Sequence, residues 1–344
     1  MEIRKIAIIV GIIGALFILL WPGCPRVYAS ESGQNPQQMQ IRNDATDDVE
    51  PENTVTGQMA NIIRTLIKGT KYLRRGDICI YSFPDYDTGV NADWSYQSED
   101  LKVAIIRCRN KEKNQTYYIA DVWIRNISQF KTAFAKDKYN NDTNVWNNGI
   151  KEESPMLARR KGAIFAVNGS YNIGLCVHDG IVYGEQKNRE GAALLYNDGR
   201  IVCVNTKEEK IDAEKEVENG LIHAWQFGPV LVHEGKKTTV RAGDENRAPR
   251  TCIGYCEPGH YIFMMCEGRS AASVGMSIDE IRDVMYEMNC VEAMNLDGGW
   301  SSCMLLKARL VNKTAYDGED SNGNKYFYGR PINDLIYFTG CDKK

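Results

Sequence analysis

The chain has 344 residues, 43% of them hydrophobic and 25% charged, with a formal net charge of −3. That length buries a substantial core, and the composition is that of a globular protein rather than a fibrous or disordered one. The slightly acidic balance lacks the basic surface that holds a polynucleotide, so no nucleic-acid partner is expected.

Arg4 and Lys5 precede the uncharged apolar run Ile6 to Trp21, which stops at Pro22-Gly23. A positive start followed by such a run reads residues 1–29 as a signal peptide or membrane anchor and places the remainder outside the cytoplasm. Val27-Tyr28-Ala29 has the small-residue pattern of a cleavage site; uncleaved, the segment would tie the protein to a membrane. Residues 30–56 are rich in Gln, Asn, Asp, Glu, Ser and Pro and read as a disordered linker. Over 57–74, Ile62, Ile63, Leu66 and Ile67 recur at helical spacing, which predicts an amphipathic helix.

From residue 75 to 344 the pattern is that of a single α+β domain, mainly antiparallel sheet built from hairpins with a few packed helices. Leu101 to Cys108 and Tyr117 to Ile124 are β-rich runs. Ser128 to Ala135 reads as one or two helical turns, Lys136 to Asn148 as a polar loop, and Ser154-Pro155 opens a short helix with Pro at its first position. Ala163 to Val167 is an apolar strand running into Asn168-Gly169-Ser170. Hairpin turns follow at His178-Asp179-Gly180, Asn197-Asp198-Gly199, His233-Glu234-Gly235 and Glu257-Pro258-Gly259, each with Gly where a tight turn needs positive φ. Ser277-x-x-Glu280 is a capping box, and Ile278, Ile281, Val284, Met285 and Met288 form the stripe of the helix it opens. Ile332 to Phe338 is the last strand.

The eleven cysteines sit mostly in apolar strand runs and read as buried thiols, with no C-x-x-C pair to hold zinc. Asp317 to Asn324 fails the calcium-loop spacing and reads as a polar loop, so no metal and no organic cofactor are expected. His178 and His233 fall in hairpin turns and read as solvent-facing; His223 and His260 show no partner in the sequence.

Three polar clusters stand at strand ends, where clefts are commonly lined. They are Asn168-Gly169-Ser170; the run Arg247 to Thr251 with its returning strand and Glu267-Gly268-Arg269; and the Asp297 turn, N-L-D-G-G-W-S-S-C-M. In the last, Gly298 and Gly299 would let backbone amides approach a ligand beside Asp297, Ser301 and Ser302. The plain alternative is a tight turn whose Asp caps its own backbone. Glu267, likewise, reads on its own as a surface acid paired with Arg269.

Taken in order, N-R-A-P-R-T-C-I-G, G-H-Y-I-F-M-M-C-E-G-R, the capped helix and N-L-D-G-G-W-S-S-C-M resemble the phosphodiester glycosidase family. Ala166-Val167-Asn168-Gly169, Phe227-Gly228-Pro229-Val230-Leu231-Val232 and the final R-P-I-N-D-L-I-Y-F agree with it as well. This chain departs by carrying Trp300 where the family usually has Gly, Cys303 for Thr and Glu267 for Asp.

The resemblance implies hydrolysis of a sugar's anomeric bond to a phosphodiester, with a glycan or sugar phosphodiester as substrate. Such a bond breaks through an oxocarbenium-like state that one carboxylate stabilises or attacks while another manages protons, which makes Asp297 and Glu267 the catalytic pair. Arg250 is the first choice for the phosphate and Arg330 the second, because a guanidinium fork matches phosphate oxygens. Asn168, Thr251, Arg269, Gly298, Gly299, Ser301 and Ser302 complete the expected substrate-binding set. The rival reading is a non-catalytic envelope protein that binds anionic glycans through the same cleft. Both require the strand tips to meet in one hollow, with Asp297 and Arg250 side by side.

Overall fold

A computed structural model describes residues 92–139, 149–239, 246–314, 318–319, 325–326 and 329–340. The expected anchor, linker and amphipathic helix of residues 1–74 lie outside the described residues. Among the described residues no helix is long and apolar enough to cross a membrane.

Antiparallel pairing dominates, as the hairpin turns predict. The largest sheet runs β1 (Trp94–Gln97), β2 (Leu101–Asn110), β3 (Gln115–Ile124), β14 (His260–Cys266), β13 (Arg250–Glu257), β15 (Glu292–Asn295), β11 (Val230–His233) and β12 (Lys236–Lys237). A second runs β7 (Ile181–Gly184), β6 (Cys176–His178), β10 (Leu221–Phe227), β8 (Gly191–Tyr196) and β9 (Ile201–Val204). The third runs β17 (Arg309–Leu310), β16 (Met304–Leu306), β5 (Phe165–Asn168), β20 (Asp334–Phe338) and β4 (Phe130–Phe134), and β18 (Gly318–Glu319) pairs separately with β19 (Lys325–Tyr326).

The three five-to-eight-stranded layers share one core. Strands alternate their side chains between faces, so Ile105, Ile253, Phe263 and Met294 of the first sheet meet Leu195 and Trp225 of the second and Phe165 and Phe338 of the third. Phe130 sits at the junction, edge-on to Tyr261 at 4.9 Å and beside Phe338 at 4.5 Å. The opposite face of the first sheet is covered by helix α3 (Ile278–Glu287), whose Ile278, Ile281 and Met285 pack on Cys252, Met264 and Cys266. Its capping box is formed as the sequence predicts. Helix α1 (Ser154–Arg160) carries Pro at its start, and α2 (Ala213–Glu218), which the sequence reading did not anticipate, starts at the cap Asp212.

Three expectations are corrected. Ser128 to Ala135 is not helical: one 3-10 turn, Ile127–Gln129, gives way to β4. The Gln129 side chain turns back onto the Arg125 and Asn126 amides and closes the turn, and β4 then pairs with β20. His178 is only 5% exposed and stacks on Phe134 at 3.8 Å. His223 and His260 do have partners, the Asp179 amide and the Asp121 carboxylate. His233 is exposed, and the eight cysteines among the described residues are free, seven of them buried.

Candidate active site

The ends of β14 and β15 flank the start of β13, so Glu267, Arg250 and Asp297 issue from neighbouring strand tips. From the third sheet, β5 and β20 bring Asn168 and Asp334 to the same region: Asn168 Nδ2 donates to the Asp297 carbonyl at 2.7 Å. Strand tips from two sheets therefore meet at Asp297, but the side-by-side placement of Asp297 and Arg250 that the sequence reading requires is not found: the Arg250 side chain turns to the Met276 and Asn246 carbonyls.

Asp297 is buried, and that burial raises its pKa. Four contacts pull the other way and favour the carboxylate. The Arg330 guanidinium lies 3.5 Å from Oδ2, the Ser301 hydroxyl and the Gly298 amide donate to the carboxylate, and Arg189 contributes at longer range. Arg330 also donates to Ser301 Oγ, so guanidinium, hydroxyl and carboxylate form one relay. Lys151 shares the field: burial lowers its pKa, Arg330 lowers it further, and Asp297 raises it. Tyr171 lies under the Arg330 guanidinium at 5.5 Å from its ring centre, and burial pushes its phenol up to about 12. Tyr171 and Asn172 both adopt left-handed φ, 82° and 57°, a conformation that costs a non-glycine residue energy and often marks functional loops.

Asp334 holds that loop in place. Its carboxylate accepts from the Ser170 amide at 2.8 Å and the Tyr171 amide at 3.0 Å. Desolvation, aided by the charge of Asp297, pushes it up to about 6. A Cβ at residue 169 would collide with this carboxylate, which explains Gly in Asn-Gly-Ser.

Arg250 does not join the group around Asp297. Its guanidinium donates to the Met276 and Asn246 carbonyls, on the α3 side of the sheet with Cys252 and Cys266. Alternation puts Arg250 on the face of Cys252. Asp297, opposite Arg250 by register, lies beyond the end of β15 where the chain turns at Gly298-Gly299, and its carboxylate faces Arg330 instead. Arg330, Arg189 and Lys151 supply the positive charge that the sequence reading sought from Arg250. Of these, Arg189 and Lys151 carry no motif in the sequence and went unforeseen, as did Asp334.

Glu267 is not a surface acid paired with Arg269. At 7% exposure, its Oε1 accepts from the Tyr118 hydroxyl at 2.7 Å and the Lys313 amide at 2.8 Å. Its backbone and that of Asp297 are separated by two strand spacings, roughly 10 Å. Arg269 instead sets its guanidinium over the Trp300 ring, 5.6 Å from the centroid.

Asn168 and Thr251 are buried ties. Asn168 Oδ1 accepts from the Thr251 hydroxyl at 2.8 Å and from the Cys303 amide at 3.1 Å. The glycine amides are consumed within the turn: Gly298 N–H donates to Asp297, and Gly299 N–H to the Pro249 carbonyl at 2.8 Å. Both glycines are still required, because a Cβ on Gly298 would stand 2.8 Å from the Pro249 oxygen and Gly299 has φ +63°. Ser302 Oγ is buried with no hydrogen-bond partner among the described residues.

Among solved structures, the catalytic domain of zebrafish N-acetylglucosamine-1-phosphodiester alpha-N-acetylglucosaminidase, auto-inhibited by its pro-peptide, superposes with a TM-score of 0.54 at 16% identity. The superposition covers 70% of this chain and 84% of that one. A hypothetical protein from Synechocystis gives 0.50 at 13% identity, over 70% of this chain and 62% of its own. These likenesses establish the fold. Among curated sequences, the bovine enzyme of the same name is 22% identical over 200 residues, which is 52% of this chain and 37% of its own. The SPbeta prophage-derived uncharacterized protein YomE of Bacillus subtilis (strain 168) is 26% identical over 176 residues, 47% of this chain and 27% of its own. The chain thus spans well under half the length of these curated relatives. The sequence profile of the phosphodiester glycosidase family matches residues 157–339. That stretch is more than half of the chain and contains Asn168, Asp297, Arg330 and Asp334, and the protein belongs to the phosphodiester glycosidase family.

Proposed function

We propose that the protein is an exported hydrolase that cleaves the anomeric bond of sugar-1-phosphodiesters in cell-envelope or extracellular glycans, working as one domain from about residue 75 onward. The observation that carries the reading is the buried Asp297 carboxylate set against Arg330, Ser301, Arg189 and Lys151. A carboxylate stabilises or attacks an oxocarbenium-like carbon. Adjacent fixed cations stabilise the phosphate that departs. A phosphomonoester leaves readily, so the cations carry more of the barrier than proton donation does.

In this reading Asp297 acts at the anomeric carbon, Arg330 and Arg189 hold the phosphate, and Glu267 handles the proton of the attacking water. Asn168, Thr251 and Asp334 position the acid and its loop. Export rests on the apolar run that follows Arg4 and Lys5, and that run supports a membrane tether in the uncleaved protein. The test is a panel of sugar-1-phosphodiesters assayed for free sugar and phosphomonoester. Release from one member, lost in Asp297→Asn, supports the reading; no release from any member refutes it.

One observation favours a second reading, an anionic-glycan binder without turnover. Trp300 is exposed beside the acid, and indole faces stack on sugar rings. Calorimetry that finds binding heat without product over long incubation selects the binder.

A further inference from the structure

The lip of the Asp297 turn carries two side chains that the proposed hydrolysis does not use. Trp300 is 43% exposed, although it lies between Gly299 and the buried Ser301 that donates to the acid. Its carbonyl accepts from the Arg330 amide at 3.2 Å. The ring is therefore mounted on the backbone that fixes Asp297 and Arg330. Arg269 adds its guanidinium to the same lip, 5.6 Å from the indole centroid. Its terminal nitrogens lie 3.2 and 3.3 Å from where a Cβ of residue 299 would stand, so the glycine lets the guanidinium rest on the turn. Arg269 holds φ 57°, a strained choice for a side chain placed there.

An exposed indole and a fixed guanidinium form a bifunctional surface. The indole face packs on the C–H face of a pyranose, and the guanidinium forks onto a phosphate or carboxylate. Arg330 pairs with the acid, and Arg189 and Lys151 act on it at longer range, so a further cation outside them fits the next anionic group along a chain.

We propose that Trp300 and Arg269 form a subsite for the neighbouring anionic sugar unit of a polymeric glycan, so that the protein favours chains over isolated sugar phosphodiesters. This rests on the hydrolase reading for its kinetic form, and binding tests it independently. The experiment compares kcat/KM for a methyl sugar-1-phosphodiester with that for the same sugar-1-phosphate linked to an anionic oligosaccharide. Trp300→Gly and Arg269→Ala should each lower the long-to-short ratio by about tenfold, whereas Tyr183→Ala, an exposed aromatic on β7, should leave it unchanged. A ratio unmoved by Trp300→Gly overturns the proposal. If the wild type hydrolyses neither compound, the oligosaccharide should still quench tryptophan fluorescence, and Trp300→Gly should abolish the quench. Absence of quenching in the wild type, or its persistence in Trp300→Gly, also overturns the subsite.

Discussion

Arg330 and Asp297 face each other at 3.5 Å from opposite ends of a shared relay through Ser301. The two residues arrive from different sheets, Asp297 just after β15 and Arg330 just before β20. Neither is a surface ion: both side chains are largely buried, so the pair is screened far less than an exposed bridge. A buried pair broken on one side leaves an uncompensated charge. That asymmetry makes each partner separately testable.

Asp297→Asn keeps the shape of the side chain and removes its charge. Release of sugar from a responsive sugar-1-phosphodiester should fall by on the order of 10³-fold or more, with far-UV circular dichroism unchanged. Near-wild-type turnover would remove Asp297 from the chemistry.

Arg330→Ala should cost about 10²- to 10³-fold in kcat/KM. Because Arg330 lowers the pKa of Asp297, its loss raises that pKa, and the acidic limb of the pH–rate profile should move to higher pH. Arg330→Lys should restore part of the rate, since it returns a charge without the planar fork. Arg250→Ala should behave differently, lowering the melting temperature through its lost carbonyl contacts with a smaller kinetic effect. Equal kinetic losses in Arg250→Ala and Arg330→Ala would contradict this assignment.

Asn168→Ala removes the donor to the Asp297 carbonyl and the acceptor for Thr251 and Cys303. Leaving these buried groups unpaired should cost about 2–4 kcal/mol of unfolding free energy in urea. A change within experimental error would mean that the amide is not the tie described above.

Acid should weaken the fold through its buried histidines. Burial depresses His223 from an ordinary 6.5 to about 4 and pushes His178 down as well. The folded protein keeps these rings neutral while the unfolded chain takes up protons, so their stabilisation is full above pH 6.5 and is lost as pH falls toward 4. Asp334 has the opposite sign: raised from 3.8 to about 6, it favours the fold when protonated and withdraws that support as pH climbs through 6. The stability gap between wild type and His223→Gln should therefore be larger at pH 7.5 than at pH 4.5. An equal gap at the two pH values contradicts the depressed histidine.

Much of the fold is legible from local chemistry. Gly at His178-Asp179-Gly180 and its three counterparts marks real hairpins, and Ser277 with Glu280 announces α3. Those signals act within a few residues. Phe130 to Phe134 misled because its strand exists only through pairing with β20, about two hundred residues away. The acid turn was readable because Asp-Gly-Gly is a local device. The cations were not: strand parity turns Arg250 to the helix side, while Arg189 and Lys151 reach Asp297 through tertiary placement alone. His178 sat in a turn pattern yet is buried, because β4 delivers Phe134 over it.

The Asn168 amide separates two jobs that many enzymes entangle. It grips the main chain of the acid from within the molecule, while Trp300 projects from the outer rim of the same bend. Diversification of the rim can therefore retune which polymer is admitted without disturbing the reactive group, giving evolution a changeable mouth on a fixed jaw.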